Sequence, residues 1–215
     1  MKNKSIFSLI LSFLLFLTIN DISLATDMKA GIKFGLNVAN IYEAWEGKTV
    51  DYDSKVGYSA GLFYSIEIIR ELAIQPEILF SKKGGKTTYT WWGAVYQSSI
   101  SLSYIEIPIL VKFIVPTQSS SNPVIFFGPS LGIKLGGKEK IESEESSWEE
   151  KIGNLKTLDF GLIFGAGLDL GEAITVDIRY NLGLTNINKN AGNDSYAKNR
   201  VLSITLGYSF TWMME

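Results

Sequence analysis

"AITVDIRYNLGLTN", residues 173–186, is the stretch on which the fold turns. Ile174, Val176, Ile178, Tyr180, Leu182 and Leu184 alternate with Thr175, Asp177, Arg179, Asn181, Gly183 and Thr185. A period of two held over such a length describes a long β-strand with one apolar and one polar face. The polar face carries Asp177 and Arg179, opposite charges two residues apart. The environment on each side of this strand decides what kind of sheet it belongs to.

The alternation recurs along the chain. Ile32, Phe34, Leu36 and Val38 oppose Lys33, Gly35 and Asn37. Tyr58, Ala60, Leu62, Tyr64 and Ile66 oppose Ser59, Gly61, Phe63, Ser65 and Glu67. Leu72, Ile74, Pro76, Ile78 and Phe80 oppose Ala73, Gln75, Glu77 and Ser81. Ile105, Ile107, Ile109, Val111 and Phe113 oppose Glu106, Pro108, Leu110 and Lys112. Before Tyr104 the phase reverses, with Ile100 and Leu102 apolar, so a bulge near Tyr104 is expected. Residues 124–135, 158–169 and 202–212 continue the pattern. The count is about eight strands, and no segment has a helical period. Pro76, Pro108 and Pro129 each delete a ladder donor and are expected to mark bulges or strand ends.

Connections at Ile68 to Glu71, Pro116 to Pro123 and Gly171 to Glu172 are short, whereas residues 39–55, 84–98, 136–154 and 187–199 are long and polar. Short on one side and long on the other is the layout of a transmembrane β-barrel.

Composition narrows the chemistry. The 215 residues suit one domain, with 46% hydrophobic and 20% charged side chains and a formal charge of -2. That balance gives no electrostatic case for nucleic acid. Cysteine and histidine are both absent, which removes disulfides, thiolate nucleophiles, His-based triads and the commonest metal ligand. No cofactor is expected. The N-terminus reads MKNK and then SIFSLILSFLLFLTI, a basic segment before an apolar run, followed by Ser23-Leu24-Ala25. This is the pattern of a secretory signal peptide over residues 1–25, cut after Ala25, with the barrel domain over 26–215.

Alternation alone does not say which face meets water. A secreted lipocalin-like barrel would turn its apolar face inward around a ligand. Here the polar face is rich in Gly, Ser and Thr with charges of both signs, as a narrow interior requires, and the other face is uniformly large. Strands of about ten residues cross a bilayer at a tilt, and a closed barrel leaves no unsatisfied edge. Tyr208, Phe210 and Trp212 suit an interfacial aromatic girdle. The expected fold is all-β: an eight-stranded antiparallel up-and-down transmembrane barrel with Ile174 to Leu184 against lipid. The soluble lipocalin-like barrel is the alternative.

Five stretches carry a resemblance to a known family: GIKFGLNVA, QPEILFSKKGGK, YIEIPILVKF, FFGPSLGIKLGG, and GAGLDL with the opening stretch. Together they resemble the PorT-like, porin-family small outer-membrane β-barrels of Bacteroidota-type bacteria. The resemblance implies an eight-stranded barrel in the outer membrane, makes Pro76 and Pro108 family features, and connects the named member with protein secretion. It does not imply one activity.

Three constellations stand out. Lys33, Glu67, Glu77, Glu106, Lys112, Asp177 and Arg179 all fall on the inward face. They form either an ion path or a salt-bridge network that fills the lumen, and unpaired buried charge is expensive enough to favour the network. Asp51 and Asp53, with Glu142, Glu144, Glu145, Glu149 and Glu150, could offer oxygen to divalent cations, but interspersed lysines and the lack of EF-hand spacing favour a solvated loop. Trp91 and Trp92, with Tyr89 and Tyr96, could serve as a loop contact for a glycan or protein partner, but an interfacial girdle is the favoured reading. GAGLDLG is followed by no helix and holds no dinucleotide. The functional expectation is a non-enzymatic barrel that contacts outer-membrane lipid and lipopolysaccharide and presents long extracellular loops to partners. A narrow porin for small solutes is the alternative.

Overall fold

The computed structural model describes residues 27–45, 48–144, 146–189 and 195–211. The leader segment 1–25, Trp212 and Glu145 lie outside the described residues. The regular structure of the described residues is all β, ordered as β1 (Asp27–Trp45), β2 (Lys48–Asp51), β3 (Asp53–Ile69), β4 (Leu72–Trp91), β5 (Ala94–Ile114), β6 (Ser121–Glu142), β7 (Ser147–Lys151), β8 (Leu158–Leu170), β9 (Ile174–Gly183) and β10 (Ser195–Thr211). Every pairing is antiparallel, the ring strands pair in chain order once β2 and β7 are set aside, and β10 returns to pair with β1 from Lys29↔Thr211 to Trp45↔Ser195. The result is a closed ring β1-β3-β4-β5-β6-β8-β9-β10, with β2 and β7 as short flaps on β1 and β6. Closure removes the sheet edges that lipid could not solvate.

The faces sort as the alternation requires. Ile178 is 51% exposed on the outside of the ring, while Asp177 and Arg179 are buried inside it. Phe34, Leu36, Leu62, Phe164, Ile204 and Leu206 share the exposed face. In water such a continuous apolar belt would be a liability. In a bilayer it is the lipid contact.

Two expectations are corrected. No phase reversal occurs in β5: Leu102, Tyr104, Glu106, Pro108 and Leu110 are all buried on the same inward side. The register shift does fall at Tyr104, as expected, but the extra residue is on the partner strand: Ser103 pairs with Gly136 and Tyr104 with Lys134, leaving Leu135 of β6 as the bulge. Leu102 faces inward because the outer half of the lumen is apolar there, built from Ile41, Leu102, Tyr104, Ile187 and Ala197. The prolines also neither end strands nor shift the register: Pro76 sits opposite Ile109, Pro108 opposite Ser130 and Pro129 opposite Leu162, in ladders that continue in phase on both sides. Each costs a local donor, and regular pairs above and below hold the register.

The long polar connections are partly strand. β4 and β5 run for 20 and 21 residues, about twice the length that a tilted crossing needs. They end in a two-residue turn, Trp92 at φ 51° and Gly93 at φ 78°. Both dihedrals are left-handed, as a type I′ hairpin demands. The opposite end of the barrel has tight connections, such as Gly171 with φ 61° between β8 and β9. By the usual polarity of such barrels the tight turns are periplasmic and the long hairpins extracellular.

Candidate functional site

The lumen is stacked in layers, each built from inward positions of the ring. Nearest the tight turns, Lys29 of β1 binds Glu67 of β3 at 3.0 Å, and Lys112 of β5 reaches both carboxylate oxygens of Asp169 on β8 at 3.4 Å. A cavity of about 510 Å³ opens beside them, bordered by Arg70, Thr117, Asn122 and Glu172. Above it, Leu110, Val124, Phe126 and Ile163 form an apolar cluster within the same half.

The next layer is a four-charge network. Lys33 Nζ donates to Glu77 Oε1 at 2.8 Å and to Asp177 Oδ2 at 3.0 Å. Arg179 donates to Glu77 Oε2 at 2.8 Å and to Asp177 Oδ2 at 2.6 Å. Gln75 and Thr205 add bonds to Glu77 and Asp177 at 2.7 and 3.0 Å. All four charges are buried, and their formal sum is neutral. The cations are also capped by rings: Phe63 lies 5.1 Å from Lys33 Nζ, and Phe126 lies 5.3 Å from the Arg179 guanidinium carbon. β4 and β9 stand on opposite sides of the ring, so the Glu77–Arg179 bonds run across its width.

A second polar layer follows outward. Lys83 binds Glu106 at 2.5 Å and Asp159 at 3.5 Å. Asn199 of β10 donates to Asp159 at 2.8 Å and to the Tyr104 hydroxyl of β5 at 3.3 Å. β5 and β10 are also opposite one another in the ring. Lys83 lies 4.6 Å from the centre of the Tyr104 ring. The apolar outer cluster then closes over this layer.

The seven inward charges expected from sequence are therefore divided. Lys33, Glu77, Asp177 and Arg179 meet, whereas Glu106 joins Lys83 and Asp159, Lys112 joins Asp169, and Glu67 joins Lys29. Lys83, Asp159, Asp169 and Lys29 were not among the expected residues. Lys83 was legible by parity, since it continues the inward row Glu77, Leu79, Ser81, but ending the strand at Ser81 hid it.

Outside the barrel, Tyr89 stacks on Tyr96 at 5.6 Å between ring centres, and Trp91 and Trp148 lie 6.4 and 6.3 Å from Tyr96. Trp92, 90% exposed, stands at the tip. This cluster begins nine residues beyond Phe80, the last large apolar residue of the outward row on β4, about 20 Å or more above it. Of the loop acids, Glu149 pairs with Lys138 and Glu142 with Lys140. No group of three or more potential metal ligands is found among the described residues.

No curated protein matches the chain. Solved structures that are similar include Ail, the attachment invasion locus protein of Yersinia pestis, at 14% identity over 86% of this chain and 100% of that one, with a TM-score of 0.42. OprG from Pseudomonas aeruginosa is similar at 12% identity over 86% of this chain and 96% of that one, with a TM-score of 0.49. Neisserial surface protein A is similar at 14% identity over 84% and 99%, with a TM-score of 0.41. The family model described as an outer membrane protein beta-barrel domain matches residues 24–189, the greater part of a ring whose apolar face is turned outward, and the chain belongs to that family.

Proposed function

We propose that this chain is a non-enzymatic, non-conducting outer-membrane barrel that stabilises the membrane and presents its long hairpins outside the cell. The observation that carries this reading is the Lys33–Glu77–Asp177–Arg179 network, whose bonds connect opposite walls of the ring. Eight strands enclose an interior that side chains can fill. Here they fill it with ion-paired layers, one of them the neutral four-charge network, between two apolar clusters. An ion entering this lumen would have to displace charge-assisted bonds and leave buried partners uncompensated. Current measured across planar bilayers tests the reading.

Export follows a cleaved signal peptide over residues 1–25 in this account, so the mature N-terminus is Thr26 and the chain fractionates with the outer membrane. Trp91 and Trp92 act as a loop contact for an extracellular partner rather than as a lipid girdle, because the hairpin carries them beyond the apolar band. The PorT-like resemblance makes a secretion apparatus one place where such a contact would be used.

A further inference from the structure

The lysines of the lumen layers, Lys29, Lys33, Lys83 and Lys112, each have a carboxylate partner. A second group of lysines, on the outside of the barrel, does not. Lys82 and Lys86 of β4 continue the outward row Leu72, Ile74, Pro76, Ile78 and Phe80, immediately past its apolar end, and both are exposed. Lys55 of β3 lies beside them: partial burial and the neighbouring charges of Lys86 and Lys82 hold its ammonium below the ordinary lysine range. Its Nζ donates to Ser99 and Ser101 Oγ at 2.8 and 2.6 Å. Lys82 Nζ stands 5.7 Å from the centre of the Tyr58 ring. Asp53 is opposite Lys86 in the ladder, yet none of the three lysines has a carboxylate within ion-pair distance among the described residues.

Three ammonium groups gathered without a counterion repel one another, and an anion placed among them removes that cost. Their height selects the anion. They sit on the extracellular side of the apolar band, level with outer-leaflet headgroups. Directly below, an apolar groove of about 530 Å³ runs along the lipid face, lined by Phe34, Leu36, Tyr58, Ala60, Ile204 and Leu206. Tyr58 borders both the groove and the lysines. A ligand that fits both parts carries a phosphate and an acyl chain.

We propose that Lys55, Lys82 and Lys86 bind a phosphate of an outer-leaflet glycolipid of the lipid A class, with one of its acyl chains in the groove beneath Tyr58. This holds whether or not the lumen conducts, so its failure leaves the closed-lumen reading untouched. The test uses the full-length mature protein in neutral phosphatidylcholine vesicles containing a trace of bisphosphorylated lipid A, with retention measured after repurification in mild detergent. The unmutated protein retains lipid A in preference to phosphatidylglycerol. The K55Q/K82Q/K86Q variant retains about a hundredfold less, as three lysines near a charged membrane surface imply, and the K55R/K82R/K86R variant keeps most of it. Heat-modifiable gel mobility reports that each barrel is folded. If the triple glutamine variant does not fold, K86Q alone, at an exposed position, reduces retention. Equal retention by the glutamine variant, equal retention of phosphatidylglycerol, or displacement of lipid A by inorganic phosphate at comparable concentration would overturn the proposal.

Discussion

Glu77 on β4 and Arg179 on β9 are 102 residues apart in sequence and meet across the full width of the ring, Arg179 Nη1 donating to Glu77 Oε2 at 2.8 Å and Nη2 to Oε1 at 3.4 Å. No ladder brings these strands together, because they are not neighbours. The bond exists only when the ring is closed and in register. It therefore ties the two halves of the barrel through the lumen. Removing one member leaves a buried charge without its partner, which costs about 3–5 kcal/mol. Arg179→Met lowers the midpoint of urea unfolding in detergent, and Glu77→Gln does the same. Pairing E77Q with R179M recovers part of the loss, since no net charge is then stranded. A double variant as unstable as the sum of the singles would show that the two residues are not coupled.

The facing of the strands gives a second test. Leu162 and Ile178 are exposed on the outside, and Arg at either position costs about 2–4 kcal/mol near the bilayer midplane. Thr205 is buried inside and donates to Asp177 at 3.0 Å. Thr205→Ser keeps that hydroxyl and changes stability little. Unfolding titrations of the three variants in lipid vesicles would contradict the assignment if Arg were tolerated outside as readily as Ser is inside.

Much of this was legible in the sequence, for a definite reason. Lipid on one side and a narrow lumen on the other force a period of two, so Ile178 and Asp177 declare their faces without a structure. Short and long connections declared the up-and-down order. The pairing of Glu77 with Arg179 was not legible, because parity places both inside but says nothing of height or of which walls are opposite. Leu102 was misread for a related reason. Apolar residues were assigned to the outside, whereas Leu102 and Tyr104 help to fill the outer lumen. Lys83 was passed over because GG at 84–85 read as a loop, while the strand continues to Trp91.

Glycine supplies a third prediction. A methyl group at Gly61 would meet the Ile78 carbonyl oxygen, and one at Gly128 would meet the Ile109 carbonyl oxygen. Backbone does not move aside cheaply in a closed ladder. Gly61→Ala and Gly128→Ala each destabilise by about 1–3 kcal/mol. Gly136 has nothing within 4 Å of that position, so Gly136→Ala is the neutral comparison. Equal unfolding midpoints for all three would contradict the backbone packing described.

Orientation is tested by labelling, since the chain contains no cysteine. Trp92→Cys at the β4–β5 tip reacts with a membrane-impermeant maleimide on intact cells. Arg70→Cys, in the tight turn between β3 and β4, reacts only after the outer membrane is permeabilised. The reverse pattern would invert the barrel.

The central claim is that the lumen is closed by its own paired charges. Single-channel recording of purified, refolded protein in planar bilayers tests it most directly. The account predicts no steady open level from the unmutated protein, and brief irregular openings from Arg179→Ala, in which the bonds between β4 and β9 are gone. A stable, reproducible conductance from the unmutated protein would contradict it and make the chain a narrow porin.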